Sequence, residues 1–281
     1  MPARRSEGKR RGSSPFQLIT QQLKFIDLIF EVRDGRAPIS SAHPQADKLF
    51  GPKPRVIILA KEDLADPALT KRWLQVLSQE QERTAIALDL KLSRGKDRLI
   101  SLALDLSAPV KQKLIARGLL PRPMRACVIG IPNVGKSSLI NWLIGRRKTM
   151  VGNKPGVTKG PQWVRVHPQL ELLDTPGILP PTGFPQETAL KLALLNLLPE
   201  GAYDVEAVGQ AGLDLVASAA PAALDRYTSA GEDRPANLEE LARARKCLST
   251  GGRADTMRSA RLLLGDLRAG NLGRLTLDSP S

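Results

Sequence analysis

The chain has 281 residues and a formal net charge of +14, and 42% of its residues are hydrophobic. This length accommodates one full α/β domain and a smaller one. No apolar run approaches the roughly 20 residues of a membrane-spanning helix, and the basic start lacks the apolar segment of a signal peptide. Two cysteines, Cys127 in a predicted strand and Cys247 in a predicted helix, fit a reducing compartment. We therefore expect a cytoplasmic protein without a membrane span.

Basic residues are concentrated near both ends of the chain. Residues 1–14 contain too little apolar sequence to fold alone, so we expect a flexible basic tail there. The final segment is also rich in arginine, at Arg253, Arg258, Arg261, Arg268 and Arg274. A solvated charged face is the simpler interpretation, but so large a surplus is typical of proteins that bind a phosphate backbone. Because aromatic residues make up only 4% of the chain, we expect folded RNA rather than stacked single-stranded bases.

A buried strand is predicted at residues 55–59, and Ala60-Lys61-Glu62-Asp63 follows it. The Asp63 carboxylate could accept hydrogen bonds from N1–H and the exocyclic amine of guanine, a donor pair that adenine lacks. The stem of Lys61 could lie along the base. In isolation a plain surface loop is the better interpretation, and only the order of motifs along the whole chain favours guanine recognition.

Residues 130–137 read Gly-Ile-Pro-Asn-Val-Gly-Lys-Ser and match the phosphate-binding pattern G-x-x-x-x-G-K-[ST]. Its glycines let consecutive backbone N–H groups point at phosphate oxygens. Lys136 is predicted to reach the β- and γ-phosphates, and the Ser137 hydroxyl is predicted to hold Mg²⁺. A predicted strand at 125–129 precedes this loop and a predicted helix at 138–144 follows it, which is the context that the motif requires.

A nucleotide-dependent switch is predicted after the phosphate loop. A strand at 170–173 ends at Asp174, whose carboxylate could hold the Mg²⁺ shell through water. The N–H of Gly177, in Asp-Thr-Pro-Gly, could meet the γ-phosphate. Thr158, on the intervening loop, could join the metal shell only when the γ-phosphate is present. Each segment alone is common, but in this order they indicate a switch.

The C-terminal part is predicted to be helical. A proline-rich hinge at residues 179–185 precedes it, and strand signals vanish beyond that point. Helices are predicted at residues 189–198, at 237–246 with Asn237 as N-cap, and at 256–267. We therefore predict a flexible segment at 1–14, a nucleotide-binding domain at 15–180 and a small all-α domain at 186–281.

The order of these parts resembles that of the circularly permuted GTPases of the YlqF/RbgA type. The usual GTPase carries its guanine-reading Asn-Lys-x-Asp downstream of the phosphate loop, whereas here residues 60–63 lie upstream. Further similarity lies in residues 26–41, with an Asp-x-Arg-x-Pro element, in residues 160–164 and in the closing Gly-Asn-Leu-Gly-Arg-Leu at 270–275. Permutation is physically reasonable because the termini of compact domains often lie close together.

The resemblance implies both a fold and a function. The fold is α/β: a circularly permuted P-loop GTPase domain, with a mostly parallel sheet and flanking helices, followed by the all-α domain. The implied function is a GTPase that binds GTP, GDP and Mg²⁺ and assists assembly of the large ribosomal subunit. Nucleotide-dependent binding to ribosomal RNA is implied as well, with release on hydrolysis, and we expect a monomer.

The predicted site combines the residue-level reasoning with the family pattern. The predicted nucleotide contacts are Lys61, Asp63, Asn133, Val134, Gly135, Lys136, Ser137, Ser138, Thr158, Asp174 and Gly177. The predicted catalytic residues are Lys136, Asn133, Thr158 and Gly177, and the predicted metal ligands are Ser137, Thr158 and Asp174.

Two departures concern the base. Ala60 replaces the Asn that begins the family's guanine motif. We expect this loss to weaken guanine binding by about 1–3 kcal/mol if a buried polar partner is left unpaired, while Asp63 preserves selectivity. A strand is also predicted at 84–89, but residues 87–91 match the family's last base-contacting loop poorly, and we predict no site there.

The third departure concerns hydrolysis. Ile178 follows Asp-Thr-Pro-Gly and cannot orient the attacking water. The family instead uses an N-terminal His, yet residues 1–16 contain none, and the two histidines of the chain, His43 and His167, are interpreted as solvated loop residues. We therefore expect slow intrinsic hydrolysis that ribosomal particles stimulate.

Asn133 has two interpretations. In the potassium-dependent GTPases that this family resembles, Asn at this loop position helps to hold K⁺ near the phosphates. The alternative is an Asn that serves turn geometry alone. The sequence leaves both open.

Two other functions remain as alternatives. One is a nucleotide-sensing RNA-binding protein with little or no hydrolysis, which Ala60 and the missing histidine favour and the intact phosphate loop opposes. The other is a P-loop ATPase or small-molecule kinase, which Asp63 opposes. GTP turnover with ribosomal subunits separates the first from the leading prediction, and competition between GTP and ATP tests the second.

Overall fold

The strands of the protein form one mixed sheet. The structure is a computed structural model that describes residues 24–92, 94–120, 122–145, 150–151, 162–174, 183–229 and 233–280. For residues 150, 151, 162 and 174 it describes only the backbone. Within these ranges the strands are β1 (Leu28–Asp34), β2 (Arg55–Ala60), β3 (Arg83–Leu88), β4 (Met124–Ile129), β5 (Met150–Val151), β6 (Gln162–His167) and β7 (Leu170–Asp174).

The central strands are apolar because helices or loops cover both faces of the sheet. Every residue of β1 and of β2 is buried, and β2 reads Arg-Val-Ile-Ile-Leu-Ala. Continuous runs of branched apolar residues of this kind are typical of parallel strands covered on both faces. The strands predicted at residues 55–59, 125–129 and 170–173 are confirmed as β2, β4 and β7.

The sheet order is β3-β2-β1-β4-β7-β6-β5. Strand β1 pairs in parallel with β2 and with β4, β2 pairs in parallel with β3, and β4 with β7. Only β6 and β5, at one end, run antiparallel to their neighbours. The carboxyl ends of β3, β2, β1, β4 and β7 therefore meet at one edge of the sheet, where α/β proteins bind ligands.

Helices follow most of the strands and make up the C-terminal part. In the described ranges they are α1 (Ala46–Phe50), α2 (Pro67–Leu77), α3 (Lys96–Ala116), α4 (Lys136–Ile144), α5 (Gln186–Leu194), α6 (Val205–Ala219), α7 (Leu238–Ala244) and α8 (Thr256–Ala269). Short 3₁₀ helices span Glu62–Leu64, Glu200–Ala202 and Pro221–Tyr227. None of the described helices combines the length and apolarity needed to cross a bilayer.

Side-chain caps explain where several helices begin. The predicted N-cap at Asn237 is confirmed, because its side chain accepts a hydrogen bond from Glu240 N. Helix α7 ends at Ala244, earlier than predicted, and Lys246 adopts a left-handed φ of 52°. The prediction that Cys247 lies in a helix is therefore wrong: it is buried just before the isolated β-bridge between Leu248 and Ala254.

One hydrophobic core continues from the sheet into the C-terminal helices. It joins Val32 and Ile58 of the sheet to Leu213 of α6 and to Leu263 and Leu264 of α8. The buried face of α8 consists of Ser259, Ala260, Leu263, Leu264 and Leu267. Part of the predicted hinge at 179–185 falls outside the described residues, so the division into domains stays a prediction.

Two helical glycines predict opposite responses to alanine. A Cβ at Gly209 of α6 would lie 2.6 Å from the Ala260 Cβ of α8, whereas at Gly265 of α8 it would meet nothing within 4 Å. We expect Gly209→Ala to lower the free energy of unfolding by about 1–3 kcal/mol, because α6 and α8 must separate. We expect Gly265→Ala to raise it by about 0.5–1 kcal/mol through lower chain entropy of the unfolded state. Urea titration of both variants checks this, and a Gly209→Ala variant as stable as wild type would contradict the close packing of α6 on α8.

Candidate functional site

A cavity of about 400 Å³ lies at the carboxyl edge of the parallel strands. Its walls come from the ends of β1, β2 and β3, from the loop after β4 and from the segment after α5. The lining residues are Arg36, Ala60, Lys61, Asp63, Leu64, Asp89, Leu90, Lys91, Val134, Gly135, Ser138, Leu195, Asn196 and Arg268. The cavity therefore brings together the predicted guanine loop, residues 60–63, and the predicted phosphate loop, residues 130–137.

The phosphate loop has the backbone geometry that its glycines allow. Gly130 has a φ of 149° and Gly135 a φ of 118°. A Cβ at Gly130 would lie 2.6 Å from the carbonyl oxygen of Val32, so only glycine fits there. Helix α4 begins directly after the loop, and no side chain in the described ranges caps it. Its first N–H groups and the positive end of its dipole are thus available to an anion.

Lys136 folds back over this loop. Its Nζ donates a hydrogen bond of 2.7 Å to the carbonyl oxygen of Ile131. Burial holds the pKa of Lys136 below its usual value, because the ammonium has lost part of its contact with water. A second cavity of about 250 Å³ is lined by Asn133, Gly135, Lys136, Ser137 and Ser138. It adjoins the larger cavity at Gly135 and Ser138.

The predicted guanine loop forms the opposite wall. Lys61 adopts a left-handed φ of 59° at the end of β2, and Asp63 follows in the short 3₁₀ helix. Oδ2 of Asp63 accepts a hydrogen bond of 2.7 Å from Nζ of Lys91. Oδ1 of Asp63 is buried and has no hydrogen-bond partner in the described part of the chain. The hydrogen bond to Asp63 raises the pKa of Lys91 above its usual range.

Asp34, the last residue of β1, is the charged centre of this edge. Its carboxylate is fully buried and accepts two hydrogen bonds of 2.9 Å from the guanidinium of Arg36 and one of 2.7 Å from Nζ of Lys61. Burial by itself raises the pKa of Asp34, but the hydrogen bond and charge of Arg36 and the charge of Lys61 outweigh it and hold the pKa below its usual range. Arg36 also donates to the carbonyl oxygen of Arg268 in α8.

Comparison with known proteins identifies the family. A family model described as 50S ribosome-binding GTPase matches residues 125–208. Ribosome biogenesis GTPase A of Priestia megaterium is 37% identical over 268 residues, which cover 94% of this chain and 92% of the relative. The protein of the same name from Bacillus cereus is 36% identical over 265 residues, covering 93% and 89% respectively. The chain belongs to the ribosome biogenesis GTPase A family.

A solved relative supports the fold. The GDP-bound structure of TM YlqF superimposes with a TM-score of 0.66 at 27% identity and covers 93% of this chain and 98% of that one. The predicted α/β fold of a circularly permuted GTPase is therefore confirmed, as is the predicted class of activity, a GTPase of ribosome biogenesis.

The predicted switch residues lie only partly within the described ranges. Asp174 is the last residue of β7, which pairs in parallel with β4, so its backbone lies at the same sheet edge as the phosphate loop. The side chain of Asp174 is not among those described, and Thr158 and Gly177 lie outside the described residues. Their roles at the metal and the γ-phosphate stay predictions.

Sequence reasoning missed several residues of the cavity wall. We predicted no site at residues 87–91, yet Asp89, Leu90 and Lys91 line the cavity and Lys91 pairs with Asp63. The parallel pairing of β3 with β2 places the loop after β3 beside the guanine loop. This was a usable signal, because neighbouring parallel strands end at the same edge. The same signal applies to Arg36, which follows β1 in the Asp-x-Arg-x-Pro element, whereas Asn196 and Arg268 gave no such signal.

One of the two histidines differs from expectation. His43 is only 4% exposed, its backbone N–H donates to Oε1 of buried Glu31, and its Nδ1 accepts a hydrogen bond from Gln45 N. The interpretation of His43 as a solvated loop residue is therefore wrong, because the fold draws its loop over the charged end of Glu31. His167 ends β6, is half-buried, and accepts a hydrogen bond from Gln169 N.

The structure shows one of the two roles suggested for Asn133. Its backbone has a left-handed φ of 58°, a conformation that Asn tolerates better than most residues. Its Nδ2 donates a hydrogen bond of 3.2 Å to the carbonyl oxygen of Asn196, after α5. Asn133 therefore serves the turn and contacts the helical region, while a role in holding K⁺ stays a prediction.

Neutralising Asp34 tests the charged centre. We expect Asp34→Asn to lower the free energy of unfolding at pH 7 by about 3–5 kcal/mol, because Arg36 is left buried without its anion. The pKa of Asp34 is lower in the fold than its usual value of 3.8. The contribution of the Asp34 carboxylate to the free energy of unfolding is therefore complete above that value and is lost as the pH falls through the folded pKa. Wild type and Asp34→Asn should therefore have similar free energies of unfolding in acid.

Urea titration of wild type and variant at several pH values measures this difference. The matched control is Glu80→Gln, because Glu80 pairs with Arg83 but is 61% exposed. We expect a change of at most about 1 kcal/mol for the control. Equal effects of the two substitutions would show that Asp34 is not a buried electrostatic centre.

Proposed function

We propose that the chain binds GTP and GDP across the cavity at the sheet edge and hydrolyses GTP as an assembly factor for the large ribosomal subunit. The observation that carries this proposal is that Asp63 and the phosphate-loop residues Val134, Gly135 and Ser138 line the same cavity. A nucleotide has a base at one end and phosphates at the other. The hydrogen-bond acceptor Asp63 suits the base, and the glycine-rich loop at residues 130–137 suits the phosphates.

The base is placed against the loop after β2. The carboxylate of Asp63 is an acceptor-only group that suits the two adjacent donors of guanine, N1–H and the 2-amino group. Oδ1 of Asp63 is buried without a hydrogen-bond partner in the described ranges, a costly state that such a donor relieves. Lys61 is held by Asp34 at the cavity wall, so its aliphatic stem can cover the base. Adenine offers no matching donor pair.

The phosphates are placed on residues 130–137. The uncapped N-terminus of α4 and the glycine-rich backbone supply N–H donors. A phosphate oxygen would replace the Ile131 carbonyl as the partner of Lys136, and the new anion would raise the lowered pKa of this lysine. Ser137, with Thr158 and Asp174, would hold Mg²⁺, which when bound neutralises the charge that develops on the phosphates.

The partner is argued from charge and from family. The net charge of +14 attracts a phosphate backbone. The matching family model is described as a 50S ribosome-binding GTPase. We therefore assign the large ribosomal subunit and its RNA as the partner of a cytoplasmic monomer, with affinity that falls steeply as salt rises.

Turnover with ribosomal subunits is the direct test. We expect slow phosphate release by wild type alone, faster release with 50S subunits, and a fall in kcat of about 10²–10³-fold in Lys136→Ala, because one charged contact to the transferred phosphate is lost. Lys71→Ala is the control, since Lys71 is exposed on α2 away from the cavity. GTP binding without stimulated turnover would favour the nucleotide-sensing RNA-binding protein, and equal use of ATP would contradict the role of Asp63.

The finer cofactor proposal is that the Asn133 amide also helps to hold K⁺. The variant Asn133→Gly keeps the left-handed backbone at no steric cost and removes the side chain, including its hydrogen bond to Asn196. We expect GTP turnover to be faster in K⁺ than in Na⁺ for wild type, and this ratio to fall towards one in Asn133→Gly. Steady-state phosphate release in matched chloride salts measures it. An unchanged ratio in the variant would leave Asn133 with its turn role alone.

A further inference from the structure

The end of the described chain runs back over the guanine loop. Gly270 ends α8 with a φ of 82°, and residues 270–278, called the strap here, continue along the loop that carries Asp63. The strap contains the Gly-Asn-Leu-Gly-Arg-Leu sequence at 270–275. These residues have no role in the nucleotide binding proposed above.

The strap donates hydrogen bonds to backbone carbonyls before and after Asp63 in the sequence. Arg274 donates from Nη2 to the carbonyl oxygen of Glu62 at 2.7 Å and from Nε to that of Ala65 at 2.8 Å. The two carbonyls flank Asp63 in sequence, and the rigid guanidinium fixes the distance between them. The backbone N–H of Leu275 donates to the Leu64 carbonyl at 3.1 Å. The strap therefore holds the residues before and after Asp63.

Both ends of the strap are anchored. At its start, a Cβ on Gly270 would lie 2.6 Å from Cδ2 of Leu64, so the chain passes directly against the loop. At its end, Asp278 is only 5% exposed and accepts hydrogen bonds from the backbone N–H groups of Ile39 and Ser40, at 2.9 and 2.8 Å. The N–H of Leu277 donates to the Arg36 carbonyl at 2.7 Å.

The guanine loop has little structure of its own to hold Asp63. It is a single three-residue 3₁₀ helix, none of whose residues is buried, and it begins with Lys61 in a left-handed conformation. Short 3₁₀ turns have poor hydrogen-bond geometry and do not resist displacement. The strap therefore holds the backbone that carries Asp63, while Lys91 contacts the Asp63 carboxylate itself.

We propose that the strap is a positioning element for base recognition, which makes guanine binding and docking of the strap mutually stabilising. This inference rests on the proposed function, since it needs the base to bind at Asp63. Linkage requires the effect to be reciprocal. Guanine nucleotide stabilises the strap, and a partner that displaces α8 weakens the hold on guanine.

The first test compares GDP with IDP, which lacks the 2-amino group, by competition binding to the full chain. We expect Arg274→Ala to bind GDP about tenfold more weakly, as the loss of two modest hydrogen bonds implies. IDP binding falls less, because it makes one fewer contact with Asp63, so the ratio of the two affinities falls. Arg274→Lys, which can reach one carbonyl, lies between Arg274→Ala and wild type.

The control is Arg261→Ala, because Arg261 is an α8 arginine that is 59% exposed and does not contact the guanine loop. Both affinities stay unchanged in the control. If Arg274→Ala fails to fold, Thr276→Val replaces it, since Thr276 Oγ1 accepts from Asp66 N at 3.0 Å and valine preserves the shape. A lowered free energy of unfolding with an unchanged GDP-to-IDP ratio would make the strap merely structural and overturn the proposal.

The second test reads the reciprocal effect in wild type. The backbone N–H groups of Leu275 and Leu277 donate hydrogen bonds from the strap to the carbonyl oxygens of Leu64 and Arg36. The rate of their hydrogen exchange therefore reports whether the strap is docked. We expect saturating GDP to slow the exchange of these two amides several-fold. The exchange rate of the Arg261 amide in α8, which serves as the control, should not change. No slowing in a protein saturated with GDP overturns this inference alone, whereas failure to bind GDP overturns the proposed function as well.

Discussion

Parallel pairing of β1 with β2 on one side and β4 on the other is the constraint on which the site depends. In register, Asp34 at the end of β1 lies opposite Ala60 at the end of β2, while Glu31 lies opposite Ile129, the last residue of β4. Loops that lie some seventy positions apart in sequence therefore leave the sheet at the same edge. The fully buried β1 makes this arrangement costly to change, because a shift of one residue would turn Glu31 and Arg33 towards the apolar cluster that contains Phe30.

Electrostatics then links this edge to the rest of the chain. Asp34 holds Arg36 and Lys61, and Arg36 reaches the Arg268 carbonyl in α8. Arg268 itself donates to the carbonyl oxygens of Ala193 and Leu194 and so joins α8 to α5. Breaking one member leaves buried charge unpaired, so the network favours a single arrangement of sheet and helices. The helical part thus contributes directly to the wall of the cavity, through Leu195, Asn196 and Arg268.

Sequence reasoning predicted the parts of the site that local patterns encode. Apolar runs predicted β2, β4 and β7, and the glycine spacing predicted the loop at residues 130–137. The contribution of Lys91 to the wall follows from the parallel order of β2 and β3 and was missed, whereas that of Arg268 arises from helix docking, which local patterns do not encode. His43 and Cys247 were misplaced for different reasons, because a tertiary contact buries the first, whereas the left-handed backbone of Lys246 ends the helix before the second.

A crystal structure of the chain with GDP and Mg²⁺ tests the central claim most directly. We expect N1–H and the 2-amino group of guanine to lie within hydrogen-bond distance of the Asp63 carboxylate. The diphosphate is expected to bind the backbone N–H groups of residues 130–137 in the same cavity. A diphosphate on that loop with the base turned away from Asp63, or a nucleotide bound elsewhere, would contradict it.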